Sequence, residues 1–237
     1  MRVTYLHHSA FWVELAQSCW LFDAYERPQI TLPADKPVYV CASHSHPDHF
    51  NAEIFAWFGA NPQVHFVLAK QIRHPDNERY GVPDSRVLRV APNRSYAVPD
   101  GSIQTLKSTD AGVAFVVQTE NVHLYHAGDL NWWAWPDDTA EEAAGMKQAY
   151  WAQLDKLRGQ HFDLAFVPLD PRLGDQFDWG LDAFARTVQA DRIFPMHFWD
   201  DYTVIPRLKA LPESAGYRDR VVELREQNQI FSWEDKR

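Results

Sequence analysis

The chain has 237 residues, 46% of them apolar and 23% charged, with a formal net charge of −9. That is the balance of an ordinary soluble globular protein, long enough to bury a full core. The acidic surplus argues against a nucleic-acid backbone as the main partner, since phosphate binding needs a basic face, so a small-molecule substrate is expected and nucleic acid is not. No run approaches the ~20 apolar residues of a membrane helix. The opening MRVTYLHHSA lacks the apolar stretch of a secretion signal, so the expected location is cytoplasmic.

No repeat, low-complexity tract or Gly/Ser linker interrupts residues 1–237, which read as one domain. Short strands are predicted at 2–6, 11–15, 19–22 and 38–42 from their β-branched and aromatic content. The run VYVCA at 38–42 is apolar throughout, as a strand buried on both faces should be. Cys19 and Cys41, both in such runs, read as buried free thiols. A short helix at 51–58 and a strand at 63–69 precede a polar loop at 71–85. Further strands are expected at 86–90, 103–106, 113–118 and 122–125. A helix over 140–157 follows, with Thr139 and Glu142 at capping-box spacing and Met146, Tyr150, Leu154 and Leu157 on one apolar face. A strand at 164–167, a helix at 181–189, a strand at 193–195, a helix at 205–211 and strands at 221–224 and 229–231 complete the chain. Strands with interleaved helices predict two packed sheets with helices on the outer faces.

The chemistry is concentrated in SHSHPDHF at 43–50, directly after the buried strand. In extended chain His44 and His46 project to one side and can share an ion. Pro47 keeps the preceding residue extended, and Asp48 and His49 then reach towards a second ion. One loop cannot fill two coordination shells. Asp129 in YHAGDLNWW and His197 in FPMHFW, each at the end of an apolar strand, are the candidates to complete them.

The HxHxDH pattern at 44–49, the Gly128–Asp129 pair and the late His197 resemble the metallo-β-lactamase superfamily. The runs STDAGVAF, VPLDPR and PMHFW are similar to a branch near the ascorbate-6-phosphate lactonase and N-acylphosphatidylethanolamine phospholipase group. The resemblance implies an α/β, four-layer αββα sandwich with metals at one edge of the sheets. It further implies His44 and His46 on metal 1, Asp48, His49 and His197 on metal 2, and Asp129 as the bridge. The superfamily usually supplies a third metal-1 histidine where this chain reads STDAG. Asp110 is the available ligand there, with Ser108 and Thr109 the weaker alternatives. A carboxylate in that place makes manganese or iron candidates beside zinc for the one or two divalent transition-metal ions.

The expected activity is hydrolysis of a small ester, lactone, amide or phosphodiester by a metal-activated hydroxide, with Asp48 and Asp129 as the catalytic carboxylates. A mononuclear-iron thiol oxygenase and a non-catalytic metal-binding protein are the alternatives, and a homo-oligomer is compatible with the sequence. His8, Trp132, Trp199 and Arg172 are the candidate substrate contacts, set against plain turn, packing and ion-pair roles. Trp133, Trp135 and Asp170 stand beside them. His126 could orient a ligand from behind.

Overall fold

The computed structural model describes residues 1–73 and 76–233; His74 and Pro75, inside the expected 71–85 loop, lie outside it. The first sheet holds β1 (Arg2–His7), β2 (Ala10–Glu14), β3 (Cys19–Phe22), β4 (Val38–Ala42), β5 (Val64–Ala69) and β6 (Val87–Val90). A strand from the far end of the chain, β13 (Gln229–Ser232), joins it, giving the order β13-β1-β2-β3-β4-β5-β6. The second sheet holds β7 (Ser95–Val98), β8 (Gly101–Lys107), β9 (Val113–Thr119), β10 (Val122–His126), β11 (His161–Pro168) and β12 (Gln189–Met196). Its order is β12-β11-β10-β9-β8-β7.

Side-chain alternation decides the layering. Every residue of β4 is buried, yet Tyr39 and Cys41 join the main core while Val38, Val40 and Ala42 join a second cluster on the other face. That is the period of two expected of a strand with a core on each side. In β3, Trp20 and Phe22 face the main core and Cys19 and Leu21 the second cluster. Cys19 and Cys41 are therefore on opposite faces of one sheet, buried and free.

Helix α1 (Ile54–Phe58) covers the outer face of the first sheet, with Phe55 on Phe66 at 4.5 Å between ring centroids. Helices α2 (Ala140–Leu154), α3 (Trp179–Thr187) and α4 (Val204–Ala210) pack into the main core, and Phe184 of α3 stacks on Tyr125 of β10 at 5.1 Å. This is the αββα sandwich. The capping box at Thr139 and Glu142 forms as read, and a 3-10 turn, Asp155–Leu157, extends α2.

Two strands differ from the reading, and the expected loop at 71–85 also carries short 3-10 turns at Asn77–Tyr80 and Asp84–Arg86. The edge strand β7 has alternating half-exposed residues and polar flanks, so no apolar run announced it. The expected strand at 221–224 shrinks to a single bridge between Val221 and Ile193. Among the described residues, no helix is long and apolar enough to cross a membrane.

Candidate metal centre

In the first sheet β3 and β4 run parallel, and in the second so do β10, β11 and β12. Their C-terminal ends meet at one edge, the usual place for a site in layered α/β folds. Asp23 leaves β3, the Ser43–His49 loop leaves β4, Asp129 follows β10, Asp170 follows β11 and His197 follows β12. The β1–β2 turn adds His8 and the β8–β9 turn adds Asp110. His8, Asp23, His197 and Trp199 all hold φ between 44° and 68°, a left-handed conformation costly for such residues and concentrated at functional edges.

The imidazoles converge on Asp129. Its Oδ2 lies 3.3 Å from His44 Nε2, and its Oδ1 lies 3.1 Å from His49 Nε2 and 3.4 Å from His197 Nε2. His8 Nε2 is 3.4 Å and His49 Nε2 3.8 Å from Asp48 Oδ2. His46 Nδ1 is 3.7 Å from Asp110 Oδ2. Two groups of ligand-capable side chains result, one of His44, His46, Asp110 and Asp129 and one of His8, Asp48, His49 and His197. The Nε2 atoms of His8, His44, His49 and His197 and Oδ1 of Asp129 are buried without a hydrogen-bond partner among the described residues. Orphaned buried polar atoms are costly. Nitrogen and carboxylate oxygen aimed at common points is the donor set of a divalent transition metal, so the residues fit such an ion.

The far sides of these rings are braced. His49 Nδ1 is 2.8 Å from Asp23 Oδ2. The same carboxylate accepts the Ser43 hydroxyl at 2.6 Å and the Ser43 N–H at 2.7 Å, and Ser43 Oγ lies 2.9 Å from His44 Nδ1. One buried acid thus orients a histidine in each group. His197 Nδ1 is held by Asp170 Oδ2 at 2.9 Å. Burial opposes ionisation of Asp23 and Asp170, but their histidine hydrogen bonds win and both carboxyls sit below the ordinary range. Burial pulls His49 down, yet Asp129 and Asp23 together lift it to about 10. Burial drops His8 to about 4.

Asp23 escaped the sequence reading, although an acid at the end of a buried strand was the signal that singled out Asp129. Its role became visible only when β3 paired with β4. His126 touches no candidate ligand directly: it contacts Ser9 O at 2.9 Å, takes the Gly128 N–H at 3.2 Å and stands 4.0 Å from Asp23. Gly112 brings the Asp110 turn in. A Cβ there would lie 1.9 Å from Ser43 O, and its φ is +68°, so only glycine fits.

A cavity of about 250 Å³ opens over the centre, lined by His46, Asp48, Asp110, Asp129, Arg172 and His197 with Trp133 and Trp135 as walls. The Arg172 guanidinium grips Asp170 through Nε at 3.0 Å and Nη2 at 2.5 Å. It lies between Trp135 and Trp199, 5.6 and 5.9 Å from their ring centroids. Trp199 also packs on His8 at 4.1 Å. Trp132 differs from the expectation of a wall beside the ligands: successive residues of its loop face opposite ways, and it lines a neighbouring cavity instead.

The sequence profile of the beta-lactamase superfamily domain matches residues 2–142. The chain belongs to this superfamily. It is 26% identical over 218 residues to a UPF0173 metal-dependent hydrolase of Exiguobacterium, covering 84% of this chain and 86% of that one. A namesake from Opitutus terrae is 27% identical over 150 residues, 54% of this chain and 63% of the relative, so that match spans under two thirds of its length. Among solved structures, a metallo hydrolase from the archaeon Ignicoccus hospitalis superposes with a TM-score of 0.66 at 18% identity, covering 99% of both chains. That likeness bears on the fold alone.

Proposed function

We propose that this superfamily member is a metal-dependent hydrolase of a small, anionic substrate. The observation that carries the reading is the set of orphaned buried Nε2 atoms gathered around Asp129. The metal-dependent hydrolase names of its relatives support it. His44, His46, Asp110 and Asp129 would hold one ion; Asp48, His49 and His197, joined by His8, would hold the other, with Asp129 shared. Zinc suits the imidazoles, and the half containing Asp110 also suits manganese or iron. When bound, such ions make water a strong nucleophile near neutral pH and polarise the bond to be cut.

The chain's own groups do the rest. Asp48, partly open to the cavity, accepts a hydrogen bond from the attacking water and fixes its direction. Arg172, held flat by Asp170, presents its Nη1 donors to a carboxylate or phosphate of the substrate, since no described residue takes them. Trp133 and Trp135 keep bulk water from the apolar remainder. An ester, lactone, amide or phosphodiester bearing such a group is the expected substrate class.

The test is elemental analysis of the purified protein together with a hydrolysis panel of anionic and neutral esters, lactones, amides and phosphodiesters. One to two equivalents of metal and turnover of an anionic member are expected, both lost in Asp129→Asn. Wild-type protein that cannot be loaded with any of the three metals ends the reading.

A further inference from the structure

Residues 132–135 form a wall between two cavities. Trp133 and Trp135 face the metal centre, whereas Trp132 and Ala134 face a larger space of about 470 Å³ between α2 and α3. Helix α2 divides the same way, with Met146 on the metal side and Lys147 on the other. The second cavity is a cage of indoles. Trp179 stands 5.1 Å from Trp132 at 58°, and Trp151 stands 6.4 Å from it at 72°. Ala143, Ala144 and Ala183 complete the wall, and any longer side chain at these positions would take up the space.

Charge at the rim selects the occupant. Asp182 is neutralised, since Arg186 Nε lies 2.8 Å from both of its oxygens. Lys147 has no carboxylate within ion-pair distance among the described residues, and its Nζ sits 5.5 Å from the Trp132 ring centroid, over the cavity edge. An apolar, concave space of ligand size with one unbalanced cation at its mouth fits an amphipathic anion. A quaternary ammonium, the usual guest of an aromatic cage, would meet Lys147 at the entrance.

We propose that this cavity is a binding site for a small amphipathic acid, an alkyl or aryl body carrying one carboxylate. The body lies among Trp132, Trp151 and Trp179, and the carboxylate meets Lys147. The site is separate from the metal centre and does not depend on the hydrolase reading.

Calorimetric titration of the intact protein with decanoate, decanol and decyltrimethylammonium tests it. Decanoate should bind saturably at one site, with decyltrimethylammonium roughly tenfold weaker or more, because attraction is replaced by repulsion at an exposed charge. Lys147→Met keeps the apolar stem and should weaken decanoate roughly fivefold while leaving decanol unchanged. Ala143→Phe, or the more exposed Ala144→Phe should the first fail to fold, should abolish saturable binding while metal content stays at the wild-type level. No saturable decanoate binding, equal binding in both filled variants, or equal binding of the cationic homologue would each overturn the proposal. Metal loading and hydrolysis are read separately, so failure here leaves the hydrolase reading standing.

Discussion

The two halves of the candidate metal centre are built differently. In the group of His8, Asp48, His49 and His197, only Asp48 is open to solvent, and Asp23 and Asp170 fix two of the rings. In the group of His44, His46, Asp110 and Asp129, His46 and Asp110 have side chains 46% and 49% exposed and stand 3.7 Å apart, and among the described residues nothing braces them beyond the Ser108 hydroxyl, which accepts the Asp110 N–H. Donors locked by a buried network lose little freedom on binding, whereas exposed side chains must be ordered each time. On the proposed two-ion reading the buried half is therefore a prebuilt holder, whereas the open half is ordered only as its ion binds.

The largest blow to that contrast should come from Asp23→Ala. It removes the acid behind both His49 and, through Ser43, His44, so it should cost both halves about 10- to 100-fold in metal affinity. Competition with a chromophoric chelator measures it. An unchanged affinity would mean that the brace has no role.

Asp110→Ala should act on one half alone. Elemental analysis after dialysis should show loss of the more weakly held equivalent and retention of the other, and Asp110→His should restore it with a stronger preference for zinc. Loss of both equivalents would show that the halves are not independent.

A smaller effect separates the halves by pH. In the metal-free protein His49, lifted to about 10 by Asp129 and Asp23 against its burial, keeps its proton at neutral pH, while His8, lowered to about 4 by burial, carries none. Loading the buried half must displace the His49 proton. Affinity there should rise with pH by up to about tenfold per unit across the neutral range, with release of about one proton. Calorimetry in buffers of different ionisation enthalpy reads this directly, and pH-independent loading would contradict it.

Much of this was legible in the residues. The apolar runs located most of the strands because burial on two faces leaves no room for polar side chains, as VYVCA at 38–42 shows. The HSHPDH loop stood out because three histidines and an aspartate in six residues at a strand end have few structural uses; Asp129 and His197 gained meaning only beside it, since a lone polar residue at a strand end is more often a surface or capping residue. Short, half-exposed segments such as β7 left no comparable mark.

Spacing along the chain could not say which distant side chains meet. Asp23 and His49 are brought within 2.8 Å by the parallel pairing of β3 with β4. Asp170 and His197 meet through the pairing of β11 with β12. Trp132 and Trp133 adjoin in sequence, yet they serve different cavities because consecutive side chains of this wall point to opposite sides. Residue type and local pattern marked most of the side chains with chemistry to offer, though not Asp23. Their partners followed from sheet order and register, because contacts between separate strands leave no trace in local spacing.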